Sequence, residues 1–111
     1  FPKALQVQAG LVIQPEEGPV YDRFRGRVIF PIRNASGKVI AFGGRLLGTS
    51  TNKALPKYLN SPETPVIKKG EVLFNLDQAR RPAREGNIAV VMEGYMDVVS
   101  SVQGGVPYAL A

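Results

Sequence analysis

Neither cysteine nor histidine occurs among the 111 residues. Without cysteine there is no disulfide framework and no thiolate zinc site. Without histidine, Ser-His-Asp and Cys-His machinery is excluded within the chain. Long apolar runs are missing too, none approaching the roughly 18 residues that mark a membrane span. Basic residues are absent from the C-terminal part, because all fourteen Lys and Arg lie at or before Arg84. What is present is a globular composition, 44% hydrophobic and 21% charged, in a length that makes one domain or a piece of one. Chains of this size bury about two thirds of their unfolded surface, so a core is possible without covalent staples. Phe1-Pro2-Lys3 has no initiator Met and no signal pattern, and Val106–Ala111 stops inside an apolar run. Both ends read as internal cuts in a longer protein.

The charge is uneven. The formal net charge is +5, but between Tyr21 and Lys69 ten basic residues stand against Asp22 and Glu63. From Glu85 onward there are three acids and no base. A basic stretch suits polyanions held through phosphate contacts. A short acidic one suits a metal or acid–base chemistry. On charge alone a solvated surface is the alternative.

Residue patterns predict the elements. Pro2–Ala9 reads as a short helix end, with Gly10 as its C-terminal cap and Leu11-Val12-Ile13 following. Gln14–Pro19 is a polar loop. Arg27–Ile32 is a strand that Pro31 places at a sheet edge, Asn34–Gly37 a turn, and Lys38–Leu47 a second strand completing a hairpin. Arg23, Arg25 and Arg27 alternate, so on a strand they share one exposed face. Phe24, Phe30 and Phe42 are core candidates. Gly43-Gly44 inside the second strand implies a bulge or a close approach of something to the backbone. Gly48–Pro56 is a polar loop, and Lys57–Glu63 is short and dense in functional side chains. Leu76 to about Arg84 is helical, broken or restarted at Pro82. Ile88–Met92 is a continuous apolar run, the pattern of a strand buried on both faces. Tyr95–Gln103 is a helix with Val98, Val99 and Val102 on one face, ended by Gly104-Gly105, and Val106–Leu110 is the next strand. The last third is therefore a β-α-β unit with a parallel pair and a right-handed crossover.

The informative acid sits at a strand end. Glu93 directly follows the apolar run, and Gly94 lets the chain turn and a ligand approach the backbone. Open parallel sheets build their sites outside the carboxyl ends of the strands. Asp97, four residues on, falls in the first turn of the helix, so both carboxylates can face one opening. Hard oxygen donors of this kind suit Mg²⁺ or Mn²⁺. Two carboxylates are too few for a tight site, so the set is incomplete. Asp97 also serves the helix dipole without any further role, and Glu93 fits a solvated loop acid.

Glu93-Gly94-Tyr95-Met96-Asp97-Val98 resembles the first motif of the TOPRIM domain in bacterial replicative primases of the DnaG type. The resemblance extends along nearly the whole chain: Tyr21–Ile32, then Gly37 followed by Ala41–Arg45, then Lys57–Thr64, then Lys69-Gly70 followed by Leu73-Phe74, in matching order and spacing. It implies a mixed α/β fold, an α+β basic subdomain with a β-hairpin over residues 1–86 followed by the first β-α-β unit of a TOPRIM-like parallel sheet over 87–111. It implies that Glu93 acts in nucleotidyl transfer, that Arg45, Lys57, Tyr58, Asn60 and Lys69 belong to a nucleotide and template groove, and that Glu93 and Asp97 are part of a divalent metal site. The main metal aspartates would follow Ala111.

The implied parent activity is synthesis of short RNA primers on single-stranded DNA from ribonucleoside triphosphates, with an RNA–DNA hybrid as product. A replicative helicase would be met through a separate domain, in the bacterial cytoplasm at the replication fork. No membrane contact is implied. The 111 residues alone are not expected to synthesise primers. The residues fit these roles: an arginine grips phosphate with two parallel bonds, lysines offer mobile point charges, a tyrosine stacks on a base, and an asparagine donates and accepts. The other readings are a non-catalytic nucleic-acid-binding module built on the basic hairpin and a TOPRIM accessory protein of recombination, against which the Lys57–Glu63 block argues.

Overall fold

A computed structural model describes residues 1–48 and 54–111. The elements run α1 (Lys3–Gln8), β1 (Val12–Ile13), β2 (Tyr21–Asp22), β3 (Arg27–Arg33), β4 (Val39–Leu46), β5 (Tyr58–Asn60), a 3₁₀ turn at Lys69–Glu71, α2 (Leu76–Gly86), β6 (Val90–Val91), α3 (Tyr95–Gln103) and β7 (Ala109–Leu110). The loop expected over 48–56 falls largely on 49–53, outside the described residues. The fold is mixed α/β. The strands form an antiparallel β1-β2 pair, a sheet of order β3-β4-β5, and a parallel β6-β7 pair. Two compact units result: residues 1–31 with 41–70, and residues 32–40 with 71–111.

In the first unit α1 ends where the glycine predicts. Gly10 takes φ +71°, and the Gly10 and Leu11 amides donate to the Val7 and Gln6 carbonyls at 3.0 and 3.1 Å, which satisfies two carbonyls the helix leaves open. Gly10 is also packed against Pro62, so closely that a Cβ there would lie 2.6 Å from the ring. The expected common face of Arg23, Arg25 and Arg27 does not form. Strand β2 stops at Asp22 and β3 starts at Arg27, with Gly26 at φ +60° reversing the path between them. The pleat that would align alternate side chains is therefore interrupted.

The hairpin matches its turn chemistry. Asn34 Oδ1 accepts from the Ser36 and Lys38 amides and the Ser36 hydroxyl, the local bonding that makes asparagine a turn residue. Pro31 lies on the edge strand β3, where a missing N–H costs the ladder nothing. Of the three core candidates, Phe30 is buried, while Phe24 and Phe42 are half-buried and meet edge to face at 6.3 Å. The double glycine is a close approach, not a bulge. Gly43, Gly44 and Arg45 pair in unbroken register with Asn60, Leu59 and Tyr58, and a Cβ on Gly44 would meet Phe24 at 2.9 Å and Arg27 at 3.0 Å.

The second unit is organised on β7. Ala109 and Leu110 are buried, and both α2 and α3 pack on this strand, contributing the buried Ala79 and Val98. The Phe74 and Ala111 backbones exchange hydrogen bonds, and Asn75 Nδ2 donates to the Ala109 carbonyl at 3.0 Å. This bond occupies the Asn75 side chain, which makes no cap bond to α2, and the residue sits at φ +68°. Three expectations are corrected here. Helix α2 runs unbroken through Pro82. The proline removes only the bond to the Gln78 carbonyl, and the buried Ala79 and an end closed at Asn87 hold the turns on either side. The Ile88–Met92 run is not buried on both faces: Val91 is 70% exposed and Ile88 is 46% exposed, and among the described residues β7 is the one sheet neighbour of β6. On α3 only Val98 is buried, whereas Val99 and Val102 remain exposed. The β-α-β unit itself is as expected, with Val90 opposite Ala109 and Val91 opposite Leu110 in parallel register.

Gly10→Ala should destabilise the chain by about 2–4 kcal/mol, the sum of a left-handed alanine and an overpacked contact. Gly18→Ala, at φ +101° with nothing within 4 Å, should cost only the backbone part, about 1–2 kcal/mol. Urea midpoints for the two variants check the difference, and equal losses would show that Pro62 yields to the added methyl.

Candidate nucleic-acid interface and acidic site

Strand β5 places most of the basic unit's candidate groups. Its side chains alternate, so Tyr58 and Asn60 face solvent together while Leu59 is half-buried. Lys57 lies one residue before it and is exposed. Arg45 stands directly opposite Tyr58 on β4. Arg45 Nη1 donates to the Tyr58 hydroxyl at 2.9 Å, and its guanidinium carbon lies 5.2 Å from the ring centroid. That contact uses one of five N–H donors and holds the fork beside an exposed aromatic face. A second pair of the same kind joins Arg25 to Tyr21 at 4.8 Å.

The ends of β5 are tied by backbone and by arginine. The Leu46 amide donates to the Lys57 carbonyl at 2.9 Å, and the Ser61 amide to the Phe42 carbonyl at 2.8 Å. Ser61 is buried, and its hydroxyl accepts from the Phe42 amide. Arg23 directs Nε and Nη2 onto the Asn60 carbonyl at 3.1 and 2.7 Å. Arg27 Nη1 lies 3.3 Å from both the Gly44 and the Lys57 carbonyls. Lys69 sits in the 3₁₀ turn, its amide donating to Glu63 Oε1 at 3.3 Å and its side chain exposed. The structure thus brings Arg45, Lys57, Tyr58 and Asn60 together on neighbouring strands and sets Lys69 in a separate turn of the same unit.

Glu93 lies where the β6 chain leaves its ladder, one residue after the Met92 amide donates to the Leu110 carbonyl. Glu93 and Asp97 are both exposed and line one shallow depression with Met92, Ser100 and Ser101. The Asp97 carboxylate folds back toward the start of α3, so that a Cβ on Gly94 would meet Oδ2 at 3.2 Å. Among the described residues no group of three or more acidic or other ligating side chains is assembled. On α3 the Tyr95 ring packs edge to face on Phe74 at 4.8 Å, and its burial raises the phenol above its ordinary range.

The comparisons with known proteins bear on this arrangement. Residues 1–80 match the sequence profile of the N-terminal domain of the DNA primase catalytic core. The chain belongs to the DNA primase catalytic-core family. The DNA primase of Salmonella typhimurium is 50% identical over 109 residues, which cover 98% of this chain and 18% of that protein. A DnaG primase catalytic domain solved bound to single-stranded DNA superposes with a TM-score of 0.86 at 48% identity, over 98% of this chain and 32% of that one. The RNA polymerase domain of Mycobacterium tuberculosis primase DnaG, solved with a double-stranded DNA oligomer carrying a 6-nucleotide overhang, superposes at 0.88 with 41% identity, over 100% of this chain and 34% of that one. The chain thus spans about a fifth of the length of its curated primase relatives and a third of the solved primase domains.

Sequence reasoning missed β5 as a strand and missed the inward direction of Arg23 and Arg27. Tyr58-Leu59-Asn60 does alternate, but three residues are too short a run for the period-two signal to stand out.

The phenol shift carries a sign. A tyrosine harder to ionise when folded leaves stability unchanged below about pH 10 and lowers it as pH rises past that value. The urea midpoint should fall as pH rises past about 10, and fall less in Tyr95→Phe. Parallel falls in both proteins would remove Tyr95 as the source.

Proposed function

We propose that this chain is the template-gripping segment of a bacterial DNA primase together with the start of its catalytic TOPRIM sheet. In this reading residues 1–86 belong to the basic subdomain and residues 87–111 open the TOPRIM fold. The family profile, ending at residue 80, supports a boundary in this region. The parent enzyme synthesises short RNA primers on single-stranded DNA from ribonucleoside triphosphates, leaving an RNA–DNA hybrid. The observation that carries this is the exposed face of Tyr58 and Asn60 with Arg45 stacked opposite Tyr58 and the exposed Lys57 one residue before the strand, in a family whose solved members include domains holding single-stranded DNA and an overhanging duplex. An aromatic face flanked by cations suits stacked bases and a phosphate track.

Lys57, Lys69 and Arg45 bear on phosphates, Tyr58 on a base or sugar, and Asn60 on a nucleotide edge. Glu93 works in the nucleotidyl-transfer step. The hard oxygen donors of Glu93 and Asp97 fit one side of a Mg²⁺ or Mn²⁺ ion, which binds through one or two carboxylates plus substrate phosphates. When bound, such an ion neutralises charge on the transferring phosphoryl group. Further carboxylates come from the parent protein, as does contact with the replicative helicase, and the work is done in the cytoplasm at the replication fork. No helix among the described residues is long and apolar enough to cross a membrane. Two carboxylates sharing a depression at a strand end favour the enzyme over a non-catalytic binding module or a recombination accessory.

In a full-length primase carrying this segment, Glu93→Gln should lower primer synthesis by about 100-fold or more while leaving single-stranded DNA affinity nearly intact. Synthesis equal to the unaltered enzyme would take Glu93 out of the mechanism. Arg45→Ala should weaken DNA binding by roughly tenfold and flatten the salt dependence by about 0.7, one single-strand phosphate contact. An unchanged slope and affinity would place Arg45 outside the groove.

A further inference from the structure

We infer that Arg27 is a positioning residue for the template strand β5, acting through its backbone and not through nucleic acid. It rests on the proposed role of β5. Arg27 belongs to β3, and β4 lies between β3 and β5. To reach β5 its side chain must pass over β4, and it does so at the one place where β4 carries no side chain toward it. A Cβ on Gly44 would lie 3.0 Å from Arg27 Cδ and 3.4 Å from its Cβ. Beyond that gap Nη1 reaches the Gly44 and Lys57 carbonyls at 3.3 Å each, so one nitrogen joins β4 to the start of β5.

The strand needs such a hold. It is three residues long and lies at the sheet edge. The same Lys57 carbonyl takes the Leu46 amide. Its position sets the register that puts Tyr58 opposite Arg45 and, two residues on, Asn60 opposite Gly43. A charged donor bond to a carbonyl is stronger than a neutral one. Arg27 is half-buried, and its guanidinium points at peptide oxygens. A shift of β5 would break the Arg45–Tyr58 pair and change the spacing of the candidate phosphate and base contacts together.

The test uses the 111-residue chain and a single-stranded oligodeoxynucleotide, with Arg27→Met and Gly44→Ala as variants. Arg27→Met removes the donor. Gly44→Ala keeps the guanidinium's charge and closes its path over β4. In both, amide exchange at Leu46 and Ser61 should quicken by about tenfold, with Met92 and Val98 in the other unit unchanged, since local opening is read amide by amide. Affinity for the oligonucleotide should fall about three- to tenfold at every salt concentration with the log–log salt slope unaltered, because no phosphate contact is lost. Unchanged exchange at Leu46 and Ser61 overturns the inference. A slope flattened by about 0.7 in Arg27→Met but not in Gly44→Ala also overturns it, by making Arg27 a phosphate ligand. Faster exchange with unaltered affinity supports Arg27 as the hold on β5 and overturns the reading of β5 as template surface. Should Arg27→Met fail to fold, Gly44→Ala with Arg27→Lys decides: lysine keeps the charge, so an unaltered salt slope with fast exchange supports the positioning role, and slow exchange overturns it.

Discussion

The basic unit depends on holding a three-residue edge strand against β4. An edge strand offers ladder bonds on one side only and opens easily. Here the β4–β5 ladder is lengthened at both ends by groups that are not strand backbone. Ser61 closes one end through its hydroxyl and amide on Phe42. Arg23 and Arg27 donate to the carbonyls of Asn60 and Lys57. Gly44 is the condition for this, since a side chain there would occupy the space that Phe24 and Arg27 fill. Two of the basic residues expected on one exposed face therefore hold the peptide frame, while Lys57, Tyr58 and Asn60 stay exposed.

The acidic unit solves a different problem. Its parallel pair has only two strands, which is marginal by itself. Strand β7 gains a partner for Ala111 from Phe74 and for the Ala109 carbonyl from Asn75, and helices α2 and α3 cover it. Strand β6 has less cover and leaves Val91 in solvent. The end of β6 is nevertheless well defined, because the Met92 amide is still in the ladder. Glu93 follows at once, and Asp97 comes back to the same depression one helical turn later.

The elements show which signals carry through. Caps and turns were legible: Gly10, Asn34–Gly37 and Gly104-Gly105 each end or reverse an element where their chemistry demands it. The β-α-β unit was legible from an apolar run, a glycine and a helical period. Pro82 misled, because a single lost hydrogen bond is outweighed when the neighbouring turn is buried through Ala79. The valines of β6 and α3 misled in the other direction. An apolar side chain records a tendency to be covered, and Val91, Val99 and Val102 are only partly covered among the described residues.

Local sequence determined the residue types, their order and their spacing along the chain, and with them the family and the candidate site residues. These are properties of neighbours in the chain, where a few dihedral angles decide the outcome. Tertiary structure alone decided that Arg23 and Arg27 turn inward, that Tyr58 meets Arg45, and that Ser61 completes the ladder. Each of those contacts joins residues thirteen to thirty-seven positions apart. An arginine has the same charge whether it faces a phosphate or a peptide carbonyl, and only the place of the second strand settles which it finds.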